Sequence, residues 1–591
     1  MHNVAHLLEC RASRQDAVFL TCGGVDWRYA DVTDCSRRIA TWLRRQGVRR
    51  GDRVAILLEN GPEFVCAYYG ILRIGAIAVS LPPSLPGSDA LALIADCGAR
   101  VVFTNTAGSH TLRSVSSSST AACEVVAIYC DGAVISSPTL PADDGAQIAD
   151  VGPDEPAAIV YSSGTEGMPK GVLLSHGNIQ FTATAKRRYM GVRQEDSLLL
   201  FLPLHHCFGQ NAIMNAAAAS GARLIVQRRF DAAQVLDAIA NDGATMLFGV
   251  PTVFSALLDI AEPGQLAGLR YVFSAAAPLP PVIEERWSAQ FGGPIHQGYG
   301  LTESSPFATY NHAERIKLGT VGSAIDGVEI RIVDPHSGAD LPPNTSGEIT
   351  IRGPNVMLRY WNRPEATERA IRNGRLYTGD LGRLDDEGYL TIEDRLKDIM
   401  LVGGSNVSPV EVEKALCRHP AVREAAVFGV PEPYLGEEVH AAVVLRPGHT
   451  VSEVAILAAM RPLLPPHKLP SVVTIVDALP KAPTGKILRR VLRDEARVAP
   501  LPLAVASTGL ELNEWLDSWF AARLGFGADH IDPDRPLLDY GMDSIRCVAL
   551  ARDLSRQLGR PIPPTMVWEQ PTYRALLHAC ATETPPAAPA S

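Results

Sequence analysis

The chain has 591 residues, 46% of them hydrophobic and 20% charged, and its formal net charge is −10. That length exceeds one core and fits about three to four compact units of ordinary globular composition. The acidic balance excludes a protein that wraps nucleic acid, because phosphate contacts need clustered lysine and arginine.

At the N-terminus, MHNVAHLLECRASRQD reads as a short amphipathic helix with early charges, not as a secretion signal. No run of 18 apolar residues follows, so no transmembrane span is expected. The 11 cysteines are scattered without a C-x-x-C pair, which suits small buried side chains in a reducing, cytoplasmic compartment. From about residue 25 to 250, β-branched runs such as DRVAILLEN (52–60), GAIAVSLPP (75–83) and ARVVFTN (99–105) read as buried strands. Between and before them, DVTDCSRRIATWLRRQG (31–47) and GPEFVCAYYGILRIG (61–75) read as helices. This alternation implies α/β units around largely parallel sheets. After Gly319 the texture changes to turn-rich hairpins, and a further mixed unit runs towards residue 495. Residues 496–508 read as a Pro- and Ala-rich linker, whose VAPLPLAVAST (498–508) spans at most ~40 Å. A mostly helical segment follows over 509–582, and 583–591 is expected to be a disordered tail.

Several short segments carry chemistry. YSSGTEGMPKG (161–171) combines three glycines, three aliphatic hydroxyls and a lysine, and its backbone N–H groups could wrap an anion. It is not the common phosphate loop G-x-x-x-x-G-K-[ST], since Lys170 follows Pro169. Taken alone it reads first as a Gly-rich surface turn. GYGLTES (298–304) sets Thr302 beside Glu303, a hydroxyl and a carboxylate suited to a phosphate oxygen and its Mg²⁺. YTGDLG places Asp380 in a Gly-flanked turn where it could accept both hydroxyls of a ribose. DRLKD adds Arg395, and PTGK presents Lys486 at the start of a basic helix. Each piece also has a plain reading as a hairpin turn, a capped helix or a solvated lysine.

In this order, and with FLPLHHCFGQ (201–210) and GEITIRGPNVMLRYWNRPEAT (347–367), these segments resemble the adenylate-forming superfamily. That superfamily includes acyl-CoA synthetases, aryl ligases, fatty acyl-AMP ligases, luciferases and the adenylation domains of peptide synthetases. The resemblance implies an α/β fold with a large N-terminal domain of mixed and parallel sheets (1–396) and a small mobile α+β domain (397–495). The hinge would be at Lys397. It also implies roles. Ser162, Ser163, Gly164, Thr165, Gly167 and Lys170 would cradle the phosphates of ATP, and Ala276, Tyr299, Gly300 and Thr302 would line the nucleotide site. Asp380 and Arg395 would hold the ribose, and Glu303 would hold Mg²⁺. His206 would gate the acyl site, and Lys486 would be the cation at the reacting carboxylate and α-phosphate. One departure is Glu166, where the family commonly has Ser or Thr; a carboxylate there either points outward or joins the metal shell.

The segment 509–582 resembles an acyl or peptidyl carrier domain, a helical bundle in which GMDSI would offer Ser544 for 4′-phosphopantetheine. A phosphopantetheinyl transferase is then an implied partner, as is a downstream synthase or modifying enzyme. As to the acid, HHCFGQNAIMNAAAASGARLIV (205–226) contains no Asp or Glu. A buried ammonium would lack a partner there, which argues against an α-amino acid. Ala216 to Ala219 and Ala275 to Ala277 fit either an open apolar channel or close packing. A medium- or long-chain aliphatic acid is the first expectation and an aryl acid the second. Transfer to the attached carrier, release as free acyl-CoA, and a non-catalytic carrier scaffold remain the competing readings.

Overall fold

Apolar β-branched runs become strands where both faces can be covered. In the computed structural model, Arg53–Leu57, Ile77–Ser80 and Val101–Thr104 pair in parallel, with the central residues fully buried. The structure describes all residues except 1, 10–15, 117–122, 132–133, 137–139, 143–144, 146, 163–168, 313–314, 433–434, 482–486, 499–510, 525–530, 541, 543, 561 and 583–591. Helix Pro62–Arg73 starts on a proline and buries every residue but Glu63, as its nearly unbroken apolar sequence requires. Helix Tyr29–Arg45 is amphipathic, and its first turn is fixed by Asp31, which accepts the Arg28 backbone N–H at 2.8 Å.

The chain divides into two units, the first spanning Met1–Leu396 and the second beginning at Lys397. The first unit carries a seven-stranded sheet, a nine-stranded sheet and a five-stranded one. The inner strands of the two larger sheets are parallel. Antiparallel strands are added at one end of the seven-stranded sheet, Lys170–Ser175 on Pro156–Ser162 and Arg359–Tyr360 on Lys170–Ser175, and at the ends of the nine-stranded one, Thr309–Tyr310 on His296–Tyr299 and Val25–Arg28 on Val18–Cys22. The five-stranded sheet is antiparallel throughout, as the hairpin texture after Gly319 suggested. Ala216, Ala217 and Ala218 lie fully buried in helix Asn215–Ser220, and Tyr29 donates its hydroxyl to the Ala217 carbonyl at 3.4 Å and to that of Ala222 at 2.9 Å. These three small residues serve close packing.

In the second unit, Val422–Glu432 and Gly436–Leu445 form a long hairpin, to which Met400–Val402 and Val472–Ile475 add. Helix Pro409–Leu416 is capped by Ser408, whose Oγ accepts the Glu411 N–H at 3.2 Å. Farther along, helices Leu512–Leu524, Ser544–Leu558, Pro564–Glu569 and Tyr573–Thr582 close on their own core around Leu516, Phe520, Leu550, Leu554 and Leu576. Ser544 is the first residue of its helix. Among the described residues, no helix is long and apolar enough to cross a membrane.

Candidate active site

Strand pairing places the first group of candidates. Ser162 and Lys170 sit opposite each other at the end of an antiparallel pair, and Ser162 Oγ donates to the Lys170 carbonyl at 3.4 Å. The segment they bracket, with Ser163, Gly164, Thr165, Glu166 and Gly167, lies outside the described residues. The next strand, Arg359–Tyr360, pairs Tyr360 with Val172 and so brings its ring beneath Lys170, whose Nζ is 5.1 Å from the ring centroid. The Tyr360 hydroxyl donates to Glu303 Oε1 at 2.8 Å. Burial, and then the Glu303 charge, push the Tyr360 pKa far up, so the phenol remains a donor. Glu303 itself is 9% exposed and is fixed by its own carbonyl, which accepts the Met357 N–H at 2.8 Å. Lysine, ring and carboxylate thus form one chain of contacts. Tyr360 was not singled out by the sequence, although it lies inside the matching segment 347–367.

A second group sits on the five-stranded sheet. Asp380 faces Arg395 in register across strands Arg375–Leu384 and Leu390–Arg395. Its Oδ1 accepts Arg395 Nε at 2.8 Å and its Oδ2 accepts the Tyr299 hydroxyl at 2.7 Å. Burial drives the Tyr299 pKa well up, and the Asp380 charge adds to it. The carboxylate is therefore held flat between a cation and a phenol, with further lone pairs on each oxygen for a diol. Tyr299 ends strand His296–Tyr299, and the turn Thr302–Ser304 follows directly, so the two groups are joined through Gly300. A Cβ on Gly300 would stand 2.0 Å from the Pro306 carbonyl oxygen, so only glycine lets the backbone turn here. Ala276, on the loop after strand Tyr271–Ser274, is exposed at φ +71°, an uncommon conformation for a residue with a side chain.

His206 is half-buried, and its Nδ1 accepts the Phe208 N–H at 3.3 Å, which leaves the neutral ring's proton on Nε2. The next residue, Cys207, donates to Thr302 Oγ1 at 3.4 Å. Burial, and then the neighbouring His206, pull the His205 pKa down to about 3. His206, Thr302, Glu303, Lys170 and Ser162 are accordingly linked by short contacts, and Tyr299, Asp380 and Arg395 by another set. Lys486 lies outside the described residues, and the side chain of Ser544 is not described. Lys397 is the first residue of the second unit.

The donor set fits the groups implied. Among the described residues no three His, Cys, Asp or Glu side chains gather as a metal cage. Glu303 keeps one oxygen beyond its bond to Tyr360, as suits Mg²⁺, which takes one or two carboxylates and completes its shell with phosphate and water.

Residues 8–361 match the AMP-binding enzyme family, 411–486 its C-terminal domain, and 514–580 the phosphopantetheine attachment site. The chain is 34% identical to 4-coumarate–CoA ligase 3 of Oryza sativa subsp. japonica, over 83% of this chain and 90% of that one. It is 33% identical to the long-chain-fatty-acid–CoA ligase FadD13 of Mycobacterium tuberculosis, over 84% and 99%. The crystal structure of ATP-bound MatB from Rhodopseudomonas palustris superposes with a TM-score of 0.78 at 32% identity, covering 84% of this chain and 99% of that one.

Proposed function

The chain belongs to the AMP-binding enzyme family, an ATP-dependent ligase carrying a phosphopantetheine attachment domain, and on that premise we propose that it activates a carboxylic acid as its acyl-AMP and transfers the acyl group to its own carrier. The observation that carries this reading is the Tyr299–Asp380–Arg395 knot on the same chain as a helix that opens at Ser544.

A carboxylate is a poor electrophile, and its attack on the α-phosphate of ATP brings anion to anion. Catalysis is therefore positioning and charge neutralisation. Asp380 and Arg395 fix the ribose, and Lys170 and the segment 163–168 take the phosphates that leave as pyrophosphate. Thr302 and Glu303 serve the α-phosphate and its Mg²⁺. His206 stands at the mouth of the acid site, with its ring proton on Nε2. Lys486 is brought in for adenylation by closure about Lys397, and its withdrawal opens the path for the thiol. When bound at Ser544, phosphopantetheine supplies that thiol on a flexible arm.

The acid lacks an α-amine, since Cys207 and the whole stretch 205–226 offer no carboxylate. The first reading is an aliphatic medium- or long-chain acid. An aryl acid is the second, favoured by rings beside His206, where Phe208 meets Phe273 at 6.1 Å and 81°. The setting is cytoplasmic, with a phosphopantetheinyl transferase and a downstream synthase or modifying enzyme as partners.

The test is intact mass. Phosphopantetheinylated protein given ATP, Mg²⁺ and a panel of fatty and aryl acids should gain acyl mass on the Ser544 arm without CoA. Ser544→Ala should lose that mass and keep pyrophosphate exchange. Ready acylation of free CoA with almost none on the carrier would replace this reading by an acyl-CoA synthetase.

A further inference from the structure

Helix His176–Tyr189 ends on three basic residues, Lys186, Arg187 and Arg188. The two arginines are exposed, as expected for cations at a helix C-terminus. Lys186 is not: it is 2% exposed. Its Nζ lies 3.4 Å from the ring centroid of Phe307 and 4.8 Å from that of Phe273. No described carboxylate pairs with it, and the titratable group that acts on it is the Cys207 thiol. Burial pushes that thiol up to about 12, so it stays neutral and is no counter-ion. Burial likewise drags the lysine well below its ordinary range.

Two aromatic faces do not offset the desolvation of an ammonium. Methionine or leucine would fill the same space without that cost. The surroundings show where the group sits. Cys207 lies between His206 and Phe208 and donates to Thr302 Oγ1. Phe273 packs edge-on against Phe208, and the Phe307 N–H donates to the Ser304 carbonyl that ends the Thr302–Ser304 turn. Cys207, Phe273 and Phe307 thus connect the ammonium, directly or through Phe208 and Ser304, to the segments that carry His206, Thr302 and Glu303.

We propose that Lys186 is a specificity-determining residue whose Nζ donates to a second acceptor oxygen of the acid, a hydroxyl, keto or carboxylate group other than the carboxylate that is activated. This rests on the ligase reading above and narrows it. The preferred substrate is an oxygenated acid, not a plain hydrocarbon chain or ring. A site built around a buried donor discriminates strongly, because an analogue without the acceptor leaves the donor desolvated and unpaired.

The test is pyrophosphate release by the full chain with acids matched in length. Unsubstituted, hydroxy, oxo and dicarboxylic members would be compared in both the aliphatic and aryl series, and the oxygenated arms tell the three acceptors apart. The expected result is a kcat/KM at least about a hundredfold higher for one oxygenated member than for its plain counterpart. Lys186→Met should remove most of that preference, by lowering the oxygenated acid's kcat/KM while the plain acid's is kept or raised. A wild-type protein that prefers the plain acid overturns the proposal, whether or not the variant folds. So does a variant that scales all acids alike. Silence with every acid overturns the ligase reading itself, and this proposal with it.

Discussion

Replacing Asp380 by asparagine would leave Tyr299 and Arg395 facing a neutral amide that can accept only one of their two bonds. The charge-assisted bond to Arg395 is worth roughly 2 kcal/mol, and a ribose diol would lose its acceptor too. The expected outcome is an ATP KM raised by about 10- to 100-fold with the acid KM little changed, measured by pyrophosphate release. An unaltered ATP KM would remove Asp380 from the nucleotide site. Lys486→Ala should split the two half-reactions, abolishing most adenylation while leaving transfer from supplied acyl-AMP nearly intact; equal loss of both would deny it a role confined to the first. Asp380, Arg395 and Tyr299 were legible because short Gly-flanked segments carry them. Tyr360 was not. A lone aromatic in a strand reads as core, and its partner Glu303 is 57 residues away in sequence. Lys186 was hidden for a different reason, since a lysine in the last turn of a helix is ordinarily a solvated partner of the helix dipole.

At the level of strands and helices, the apolar runs at 52–60, 75–83 and 99–105 betrayed their strands because both faces are covered. The two-residue strand Arg359–Tyr360 has no periodicity to read, and its pairing with Val172 and Leu173 is a product of topology. The same holds for Asp196, which closes one end of the nine-stranded sheet. It precedes strand Ser197–Leu200, accepts Thr245 Oγ1 at 3.0 Å ahead of Met246–Gly249, and binds Arg270, whose Nε is at 2.6 Å, ahead of Tyr271–Ser274. Burial works against this carboxylate, but the hydrogen bonds from Arg270 and the Arg193 N–H outweigh it and lower its pKa. A depressed carboxylate pKa gives stability that is complete above the unfolded-state value. That stability is lost as pH falls through the folded one. Asp196→Asn should therefore destabilise the first unit by about 2 kcal/mol near neutrality. The gap from wild type in urea midpoint should narrow on acidification below about pH 4. A gap that stays constant down to pH 3 would mean the charge of Asp196 contributes nothing.

At the scale of the whole molecule, an ion pair ties two parts of the second unit together. Arg552, on the helix that begins at Ser544, is ion-paired with Glu438 of strand Gly436–Leu445. Burial raises the Glu438 pKa, yet its hydrogen bond with His440 at 2.9 Å and the charge of Arg552 prevail and hold it at about 2. The pair is thus fully charged at any pH where the enzyme would be assayed, and the carrier helix is held to the sheet of the small domain. Arg552→Glu sets two carboxylates against each other. It should slow self-loading of the Ser544 arm several-fold while pyrophosphate exchange, which needs only the groups before Lys397 and Lys486, is unchanged. Adding Glu438→Arg should restore the rate; a double variant as slow as the single one would show that the residues matter for something other than their attraction. With the carrier so held, and at most ~40 Å of linker behind it, loading within one chain would bring the thiol to acyl-AMP at an effective concentration set by the chain. The first-order rate of self-loading should then be the same at low and high protein concentration. A rate that climbs in proportion to protein would mean that each carrier is loaded by a neighbouring chain, and that the tie between Arg552 and Glu438 serves to park the carrier between such encounters.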